Sequence, residues 1–396
     1  MEPKTFAQFN ECFPPIMDGV SLTVQNYAYW LNHKYVPTYV VTPSFPGYTD
    51  KEEFPVIRYT SAPLPFRPPY RMGLPLFEYS LVPKLKNLPL SLVHAHSPFS
   101  AGHLAQKVAQ SKGIPLVATF HSKYRDDFER LIPNKALVDY LIHNIVKFFD
   151  SADEVWIPQK AVEPTLREYG YKGHVEVVDN GIDFSLSTET AGIREESRKS
   201  LGIETKENIL LYVGQHIWEK NLKFLIESLT YINEVDFKMV FVGEGYARSD
   251  MEKLVHDLHL SEKVKFTGPL YQRNQLMKWY AAADLFVFPS LYDNAPLVLR
   301  EAAAMQTPGI LIEGSTAAEV ILNDFNGFLT KNEPRSFANK ISWLLNNKSI
   351  LHNAGENATN TICRSWEDIA GEVYDRYKIL IKRKNMVKQE TQFIEG

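Results

Sequence analysis

The 396-residue chain alternates short apolar runs with segments of helical length, and its second half repeats this alternation. Uninterrupted apolar strands joined by helices are typical of a parallel sheet that is covered by helices on both faces. In the first half, the predicted strands are residues 5–9, 38–42, 92–96, 115–120 and 154–158, and the predicted helices are residues 20–32, 103–110 and 135–149. The pattern therefore predicts an α/β fold built on a doubly wound sheet.

The second half predicts another sheet of the same kind. Its predicted strands are residues 208–213, 238–242, 264–267, 285–289 and 309–313, and its predicted helices are residues 221–229, 248–258, 275–282, 296–305 and 317–322. The polar stretch 185–200 indicates a linker between the halves, and residues 366–388 indicate a final helix that is basic near its end. Because ligands of such sheets bind beyond the carboxyl ends of the strands, two domains facing each other would share a site in their cleft.

Charge and cysteine content narrow the class of protein. Lys and Arg number 43 against 47 Asp and Glu, and this net charge of −4 argues against a nucleic-acid partner. The sequence start lacks the apolar stretch of a secretory signal, and no apolar run is long enough to predict a membrane-spanning helix. The two cysteines, Cys12 and Cys363, do not predict a disulfide framework. We therefore expect a cytoplasmic protein.

The segment with the clearest chemical pattern is residues 288–302, where a predicted strand ends and a helix begins at Pro296. Asp293 precedes this helix, and Glu301 lies eight residues further on. A helix N-terminus favours anions such as phosphate, and carboxylates beside it can accept hydrogen bonds from sugar hydroxyls. The alternative interpretation makes Asp293 a helix cap and Glu301 a surface carboxylate.

The segment with Asp293 and Glu301 resembles the Glu-x7-Glu signature of glycosyltransferase family 4, and further motifs of that family follow the expected order. In chain order these are VG at 213–214 with EKN at 219–221, VGEG at 242–245, VKFTG at 264–268, AD at 283–284 with FPS at 288–290, and NGFL at 326–329. Each motif alone is weak, and their common order makes the resemblance specific.

The resemblance implies the GT-B architecture, an α/β fold of two Rossmann-like doubly wound domains facing a cleft. We expect an N-terminal acceptor-binding domain over residues 1–184 and a C-terminal nucleotide-sugar-binding domain over residues 185–365. Residues 366–396 would form a C-terminal helix that crosses back to the N-terminal domain near Trp366. The resemblance also implies hexose transfer from a nucleotide-diphosphate sugar with retention of anomeric configuration, without a metal or another cofactor.

The resemblance further implies roles for individual residues. Glu301 would hold the ribose hydroxyls, and Asp293 would contact the donor sugar. Lys220 would neutralise the diphosphate as it leaves, although on sequence alone it could be a solvated residue at a helix start. His121 would lie at the reaction centre with Lys220 and Asp293. The other donor-binding residues implied are Gly19, Gly214, Gln215, Asn294, Ala295, Pro296 and Leu297.

Three positions depart from the family pattern. Gln215 stands where the family usually has Arg, so diphosphate binding would depend more on Lys220 and on helix dipoles. Asp293 is one methylene shorter than the usual Glu, and Pro296 replaces a common glycine. These two changes affect the donor-sugar contacts, and Gln215 leaves open a non-catalytic nucleotide-sugar sensor.

The first domain contributes a glycine loop and a group of histidines. Gly19 opens the first helix, where its backbone could approach a phosphate, as the resemblance also implies. The alternative is a plain turn in which Asp18 caps the helix. The sequence also places four histidines within a short stretch, namely His94, His96, His103 and His121. No carboxylate pattern accompanies them, so we do not expect a metal site, and His94 could simply be a buried strand residue.

Residues 63–90 contain seven prolines, four aromatic residues and four basic residues, but one acid, Glu78. Basic and aromatic residues together suit contact with a membrane surface, although an ordered loop packed by its own aromatics is the alternative. The first domain also resembles the bacterial branch that glycosylates diacylglycerol or phosphatidylinositol. We therefore expect a UDP-linked donor, a membrane lipid or glycolipid acceptor, and a peripheral position at the inner face of the cell membrane. A capsule or lipopolysaccharide glycan transferase and a sugar-nucleotide epimerase remain the alternatives.

Overall fold

The computed structural model describes residues 4–65, 69–183 and 190–395. The chain divides into two units: one contains the residues up to Gly181 together with those from Trp366 onward, and the other is Ile182–Ser365. Within the described residues, no helix combines the length and hydropathy needed to cross a bilayer.

The first unit is built on a parallel sheet of seven strands. In the described residues of this unit, the strands are β1 (Thr5–Phe9), β2 (Thr38–Pro43), β3 (Val56–Tyr59), β4 (Ser61–Pro63), β5 (Arg71–Gly73), β6 (Leu90–Ala95), β7 (Leu116–Thr119), β8 (Glu154–Ile157) and β9 (Val175–Val177). Strands β4 and β5 form a separate antiparallel pair. The strand order in the large sheet is β3-β2-β1-β6-β7-β8-β9. All five residues of the central strand β1 are buried, as expected for a strand covered on both faces.

Helices cover both faces of this sheet. They are α1 (Gly19–Lys34), α2 (Leu81–Asn87), α3 (Ser100–Lys112), α4 (Tyr124–Leu131), α5 (Lys135–Asp150) and α6 (Glu163–Glu168). The predicted cap is confirmed, because the Asp18 carboxylate accepts a hydrogen bond from the Ser21 N–H at 2.7 Å at the start of α1. The phosphate contact at Gly19 stays a prediction.

The second unit contains a parallel six-stranded sheet in the order β12-β11-β10-β13-β14-β15. Its strands are β10 (Ile209–Val213), β11 (Lys238–Val242), β12 (Val264–Gly268), β13 (Leu285–Phe288), β14 (Gly309–Ile312) and β15 (Phe328–Thr330). Its helices are α7 (Thr190–Leu201), α8 (Leu222–Leu229), α9 (Arg248–Asp257), α10 (Arg273–Ala282), α11 (Leu297–Ala304), α12 (Pro334–Asn346) and α13 (Lys348–Ile362). Both sheets are doubly wound, which confirms the predicted α/β architecture.

The predicted linker at 185–200 is wrong for its described part, because the helix α7 begins at Thr190. The start of the predicted linker falls in residues 184–189, which lie outside the described residues. Arg194 and Arg198 of this helix donate hydrogen bonds to carbonyls at the end of α10, where cations are favoured. The predicted helix at 317–322 is a 3-10 helix, Thr316–Val320. Pro296 is the cap residue before α11 rather than its first helical residue.

The last helix, α14 (Trp366–Glu395), belongs to the first unit. It packs against α1, where Tyr374 stacks on Tyr35 with ring centroids 4.2 Å apart. Lys34 and Glu367 form an ion pair of 2.8 Å between the same two helices. Side chains of α14 thereby reach the central strands β1 and β6, and Tyr377 is fully buried there.

Each sheet has one topological switch point, where the chain changes its direction of strand addition. In the first sheet the switch point lies between β1 and β6, and in the second it lies between β10 and β13. Open α/β sheets bind their ligands at this point, beyond the carboxyl ends of the two strands. We therefore expect the functional residues in the loops that follow these four strands.

Candidate functional site

At the switch point of the second sheet, the loops after β10 and β13 bring a lysine and a carboxylate together. Lys220 ends a 3-10 helix after β10, and its ammonium donates a hydrogen bond to Oδ1 of Asp293, which follows β13. The side chains are only 11% and 18% exposed. Lys220 also lies over the ring of Tyr292, with Nζ 5.1 Å from the ring centroid.

The alternative interpretations of this pair are wrong. Lys220 is buried rather than solvated, and Asp293 is paired with Lys220 and does not cap α11. Oδ2 of Asp293 is buried and has no hydrogen-bond partner among the described residues. An unpartnered buried carboxylate oxygen is costly, so this atom is suited to accept a hydrogen bond from a ligand.

Glu301, on the first turns of α11, is also buried rather than at the surface. Its Oε1 accepts a hydrogen bond from Arg273 at 2.6 Å, and its Oε2 accepts one from the Tyr280 hydroxyl at 2.8 Å. Arg273 also binds both carboxylate oxygens of Asp183, at 3.0 and 2.5 Å. Each carboxylate oxygen can accept about two hydrogen bonds, so Glu301 keeps one acceptor position on each oxygen.

The residues between Asp293 and Glu301 form the start of α11. Asn294 and Leu297 are buried, whereas Ala295 and Pro296 are half-buried. The cap residue Pro296 has no side chain that could accept a bond from the first N–H groups of α11. The positive end of the helix dipole is thus near both carboxylates and Lys220.

Glycines shape the loop after β10. A Cβ on Gly243 would lie 2.0 Å from the carbonyl oxygen of Gly214, so the two loops can pack this closely only with glycine there. Gly243 has a φ of +133°. Gln215 is exposed next to Gly214, and its carbonyl accepts a hydrogen bond from the Tyr212 hydroxyl at 3.2 Å.

In the first unit, three of the four predicted histidines lie side by side at the carboxyl ends of β6 and β7. His94 and His96 stack with centroids 4.0 Å apart, and His96 Nδ1 lies 3.1 Å from His121 Nε2. His94 Nε2 is 2.7 Å from the Thr119 hydroxyl, so His94 is a buried, hydrogen-bonded strand residue. His103 is separate and lies on α3.

Desolvation keeps these three histidines neutral, and of the three His94 and His96 are buried whereas His121 is half-buried. Desolvation lowers the pKa of His94 and His96 well below the usual value, and it lowers the pKa of His121 to about 3. A neutral imidazole can both donate and accept a hydrogen bond, which suits contact with sugar hydroxyls. Gly19 begins α1 in the same unit, and a Cβ there would meet no atom within 4 Å, so its backbone is open to an approaching group.

The neutral histidines make the stability of the fold depend on pH. The unfolded chain binds protons at these positions below pH 6.5 and the folded chain does not, so the free energy of unfolding falls from pH about 6.5 toward 3. One histidine contributes up to ~1.4 kcal/mol per pH unit. We expect His121→Gln to reduce this slope, measured by urea unfolding between pH about 5 and 6.5. His256→Gln, at an exposed position, is the control, and equal slopes for His121→Gln and the wild type would contradict the prediction.

Sequence reasoning missed several residues that support the site. Arg273 and Tyr280 hold Glu301, and both lie on α10, for which the sequence predicted only a helix at residues 275–282. Tyr377, 283 positions from His94, lies 2.5 Å from its Nδ1. The spacing of these residues in the sequence gives no local signal, because each contact depends on how distant elements pack.

Two family models match the chain, one in each half. The model described as Glycosyltransferase Family 4 matches residues 17–186, and the model described as Glycosyl transferases group 1 matches residues 193–361. Their order along the chain is the order of the two doubly wound sheets.

Individual relatives and solved structures agree with these matches. Alpha-monoglucosyldiacylglycerol synthase of Acholeplasma laidlawii is 25% identical over 95% of this chain and 97% of the relative. UDP-Gal:alpha-D-GlcNAc-diphosphoundecaprenol alpha-1,3-galactosyltransferase of Escherichia coli is 25% identical over 77% of this chain and 79% of the relative. The structure of sucrose-phosphate synthase (tll1590) from Thermosynechococcus elongatus superposes with a TM-score of 0.82 at 21% identity, covering 96% of this chain and 100% of that one. With one glycosyltransferase domain on each of its two sheets, this chain is a family 4 glycosyltransferase of the GT-B fold.

Proposed function

We propose that the protein transfers a hexose from a UDP-linked sugar to a hydroxyl of a membrane lipid such as diacylglycerol, with retention of anomeric configuration. The part of the proposal that concerns the donor sugar rests on the Lys220–Asp293 pair, which lies beside the start of α11 at the switch point of the second sheet. One relative is named as an alpha-monoglucosyldiacylglycerol synthase, and this name supports a lipid acceptor. Another is named as a transferase that uses UDP-Gal and a diphosphoundecaprenol-linked sugar, and this name supports a UDP-linked donor and a lipid-linked acceptor.

In this proposal the nucleotide is held by Glu301 and the diphosphate by Lys220. The two remaining acceptor positions of Glu301 suit the two adjacent ribose hydroxyls, and Arg273 and Tyr280 keep the carboxylate in place. Lys220 uses one of its three N–H donors on Asp293, which leaves donors for the phosphate oxygens. The exposed Gln215 and the backbone at Gly214 and Gly19 complete the diphosphate contacts.

The reaction breaks the bond between the anomeric carbon and the β-phosphate oxygen and forms a bond from that carbon to the acceptor oxygen, whose proton is released. Negative charge grows on the leaving diphosphate, and a cation held near it stabilises this charge. Lys220 and the N-terminus of α11, which begins at Leu297, supply this positive potential, and Ala295 precedes the cap residue Pro296. Oδ2 of Asp293 accepts a hydrogen bond from a sugar hydroxyl, and the neutral His121 can accept one or donate one to another sugar hydroxyl.

The test is a panel of UDP-, GDP- and ADP-hexoses in which nucleotide release is followed with and without EDTA. Each donor is incubated with the purified protein alone, with diacylglycerol vesicles, with a glycolipid extract and with a soluble glycan. Release that requires both a UDP-hexose and a lipid supports the proposal. Release only with the soluble glycan favours a capsule or lipopolysaccharide transferase, and release that stops with EDTA contradicts the metal-free mechanism. Donor conversion without release indicates an epimerase, and tight binding without turnover indicates a sensor.

The acceptor half of the proposal includes a membrane contact through residues 63–90. Leu76, Phe77 and Tyr79 are 80%, 73% and 93% exposed, and Lys84 and Lys86 follow on α2. The hairpin before them is tied to the unit, because the Gly73 N–H donates to Glu11 at 3.3 Å. Phe66 and Arg67, also part of the predicted segment, lie outside the described residues. Exposed apolar side chains with nearby lysines suit the surface of an anionic bilayer.

Replacing both exposed aromatics should weaken binding to vesicles. Each aromatic contributes about 1.5–3 kcal/mol when fully buried, so we expect Phe77→Ser/Tyr79→Ser to lower the partition coefficient by about tenfold or more. The measurement is co-sedimentation with vesicles of phosphatidylglycerol and diacylglycerol. Tyr271→Ser/Leu322→Ser, at positions 75% and 58% exposed in the second unit, is the matched control. If both double variants bind vesicles like the wild type, the result would contradict a membrane contact through Phe77 and Tyr79.

A further inference from the structure

A chain of hydrogen bonds connects the last helix to His121. Tyr377 on α14 lies 2.5 Å from His94 Nδ1 and 3.3 Å from the amide nitrogen of Gln8 on β1. The amide oxygen of Gln8 lies 2.9 Å from His96 Nε2, and His96 Nδ1 lies 3.1 Å from His121 Nε2. Tyr377, Gln8, His94 and His96 are all at most 1% exposed, so the chain is shielded from water.

With the Gln8 amide nitrogen toward Tyr377 and its oxygen toward His96, a consistent set of proton positions satisfies every bond in the chain. The single hydroxyl proton of Tyr377 goes to His94 Nδ1, its shortest contact, so its oxygen accepts from the Gln8 amide N–H. This orients the Gln8 oxygen toward His96, and because a carbonyl oxygen only accepts, His96 must carry its proton on Nε2. His96 is neutral, so its Nδ1 is an acceptor and the proton between the last two rings belongs to His121 Nε2.

We propose that Tyr377 is a positioning residue that sets the tautomer of His121 through Gln8 and His96. His121 is thereby held with its proton on Nε2, which makes Nδ1 the acceptor nitrogen of the ring. The functional meaning of this tautomer rests on the proposed function, in which His121 contacts the donor sugar. Through Tyr377, the α14 helix thus has a role in the reaction.

The hydroxyl of Tyr377 is the element that keeps Gln8 in one orientation. Without it, the Gln8 amide can turn by half a rotation and present its N–H groups to His96 Nε2. His96 would then carry its proton on Nδ1 and donate it toward His121 Nε2, which moves the His121 proton to Nδ1. The ring of Tyr377 packs against Phe6 and Trp156, with centroids 4.9 and 5.6 Å away, and Phe keeps these contacts.

The experiment measures the His121 tautomer by NMR on protein labelled with ¹⁵N-histidine, in the wild type and in Tyr377→Phe. Long-range coupling from the ring protons distinguishes the two neutral tautomers, and the signal that disappears in His121→Gln assigns His121. We expect the Nε2–H form in the wild type and a mixture or the Nδ1–H form in Tyr377→Phe. We also expect kcat to fall about 10–100-fold in this variant with little change in the KM for the donor.

Tyr374→Phe is the matched control, because Tyr374 lies one turn earlier on α14 and stacks on Tyr35 instead. It should keep both the wild-type tautomer and the wild-type rate. An Nδ1–H tautomer in the wild type, or an unchanged tautomer in folded Tyr377→Phe, would overturn the inference. The NMR result does not depend on turnover, so a tautomer that shifts in a protein without transferase activity would refute the proposed function and leave the positioning role intact.

Discussion

Lys220→Ala should lower the kcat/KM of sugar transfer by about 10²–10³-fold, the loss that follows removal of one preorganised charge-stabilising group from an active site. The Lys220 side chain is 11% exposed and is held by Asp293, so its position is fixed before a donor binds. Removing it deletes the cation that we propose for the diphosphate and leaves Asp293 as an unpaired carboxylate that repels the phosphates. Lys220→Arg keeps the charge but changes its shape, so it should recover only part of the rate.

Lys223→Ala provides the control for this variant. Lys223 is 67% exposed on α8 and pairs with Glu227 across one helical turn, at 3.9 Å. Such pairs contribute little, so its transfer rate should stay within about twofold of the wild type. The double variant Lys220→Ala/Asp293→Asn removes the unpaired charge, and it should regain stability without regaining rate. A wild-type rate in folded Lys220→Ala would show that Lys220 has only a structural role.

Asp284→Ala should destabilise the second unit by about 3–5 kcal/mol, because it breaks a buried ion pair by removing one partner. The Asp284 side chain is 7% exposed and lies within 2.9 Å of Arg194, 3.5 Å of Arg198 and 2.8 Å of Lys348. It also accepts a hydrogen bond from the Ile209 N–H at 2.8 Å. Its loss leaves Arg198, 7% exposed, as a buried cation without a carboxylate.

Urea unfolding, followed by circular dichroism, measures this effect. Glu227→Ala is the control, because it removes an exposed carboxylate of the same unit whose pair with Lys223 contributes no more than about 1 kcal/mol. A loss in Asp284→Ala as small as that of the control would contradict the view that Asp284 fastens α7 to the sheet.

Much of the fold could be predicted from the sequence because its central strands are continuous apolar runs. β1 and β11 have the predicted bounds, and β10 differs by one residue. The short edge strands β9 and β15 were not predicted, since three residues are too few to show a period. The polar sequence of the α7 segment predicts a linker, yet its arginines bind Asp284, about 90 positions away.

The sequence could predict individual residues of the candidate site but not the contacts between them. Resemblance to the family indicated Lys220, Asp293 and Glu301 separately. The pairing of Lys220 with Asp293 spans 73 positions, and the arginine that holds Glu301 lies on another helix. Tyr377 reaches the histidines only because α14 packs on the first sheet. These contacts depend on tertiary packing, so a local pattern of residue types cannot show them.

The most direct test of the donor site is the dissociation constant of UDP measured by calorimetry for the wild type, Glu301→Gln and Asp183→Asn. Hydrogen bonds to a charged group contribute about 1.5–3 kcal/mol, so loss of the Glu301 carboxylate should weaken UDP binding by about tenfold or more. Asp183→Asn removes the other carboxylate partner of Arg273, at a site 33% exposed, and should stay within about threefold of the wild type. The account predicts UDP binding that depends on Glu301 and not on Asp183. Equal affinity in the wild type and in folded Glu301→Gln, or no UDP binding by the wild type, would contradict it.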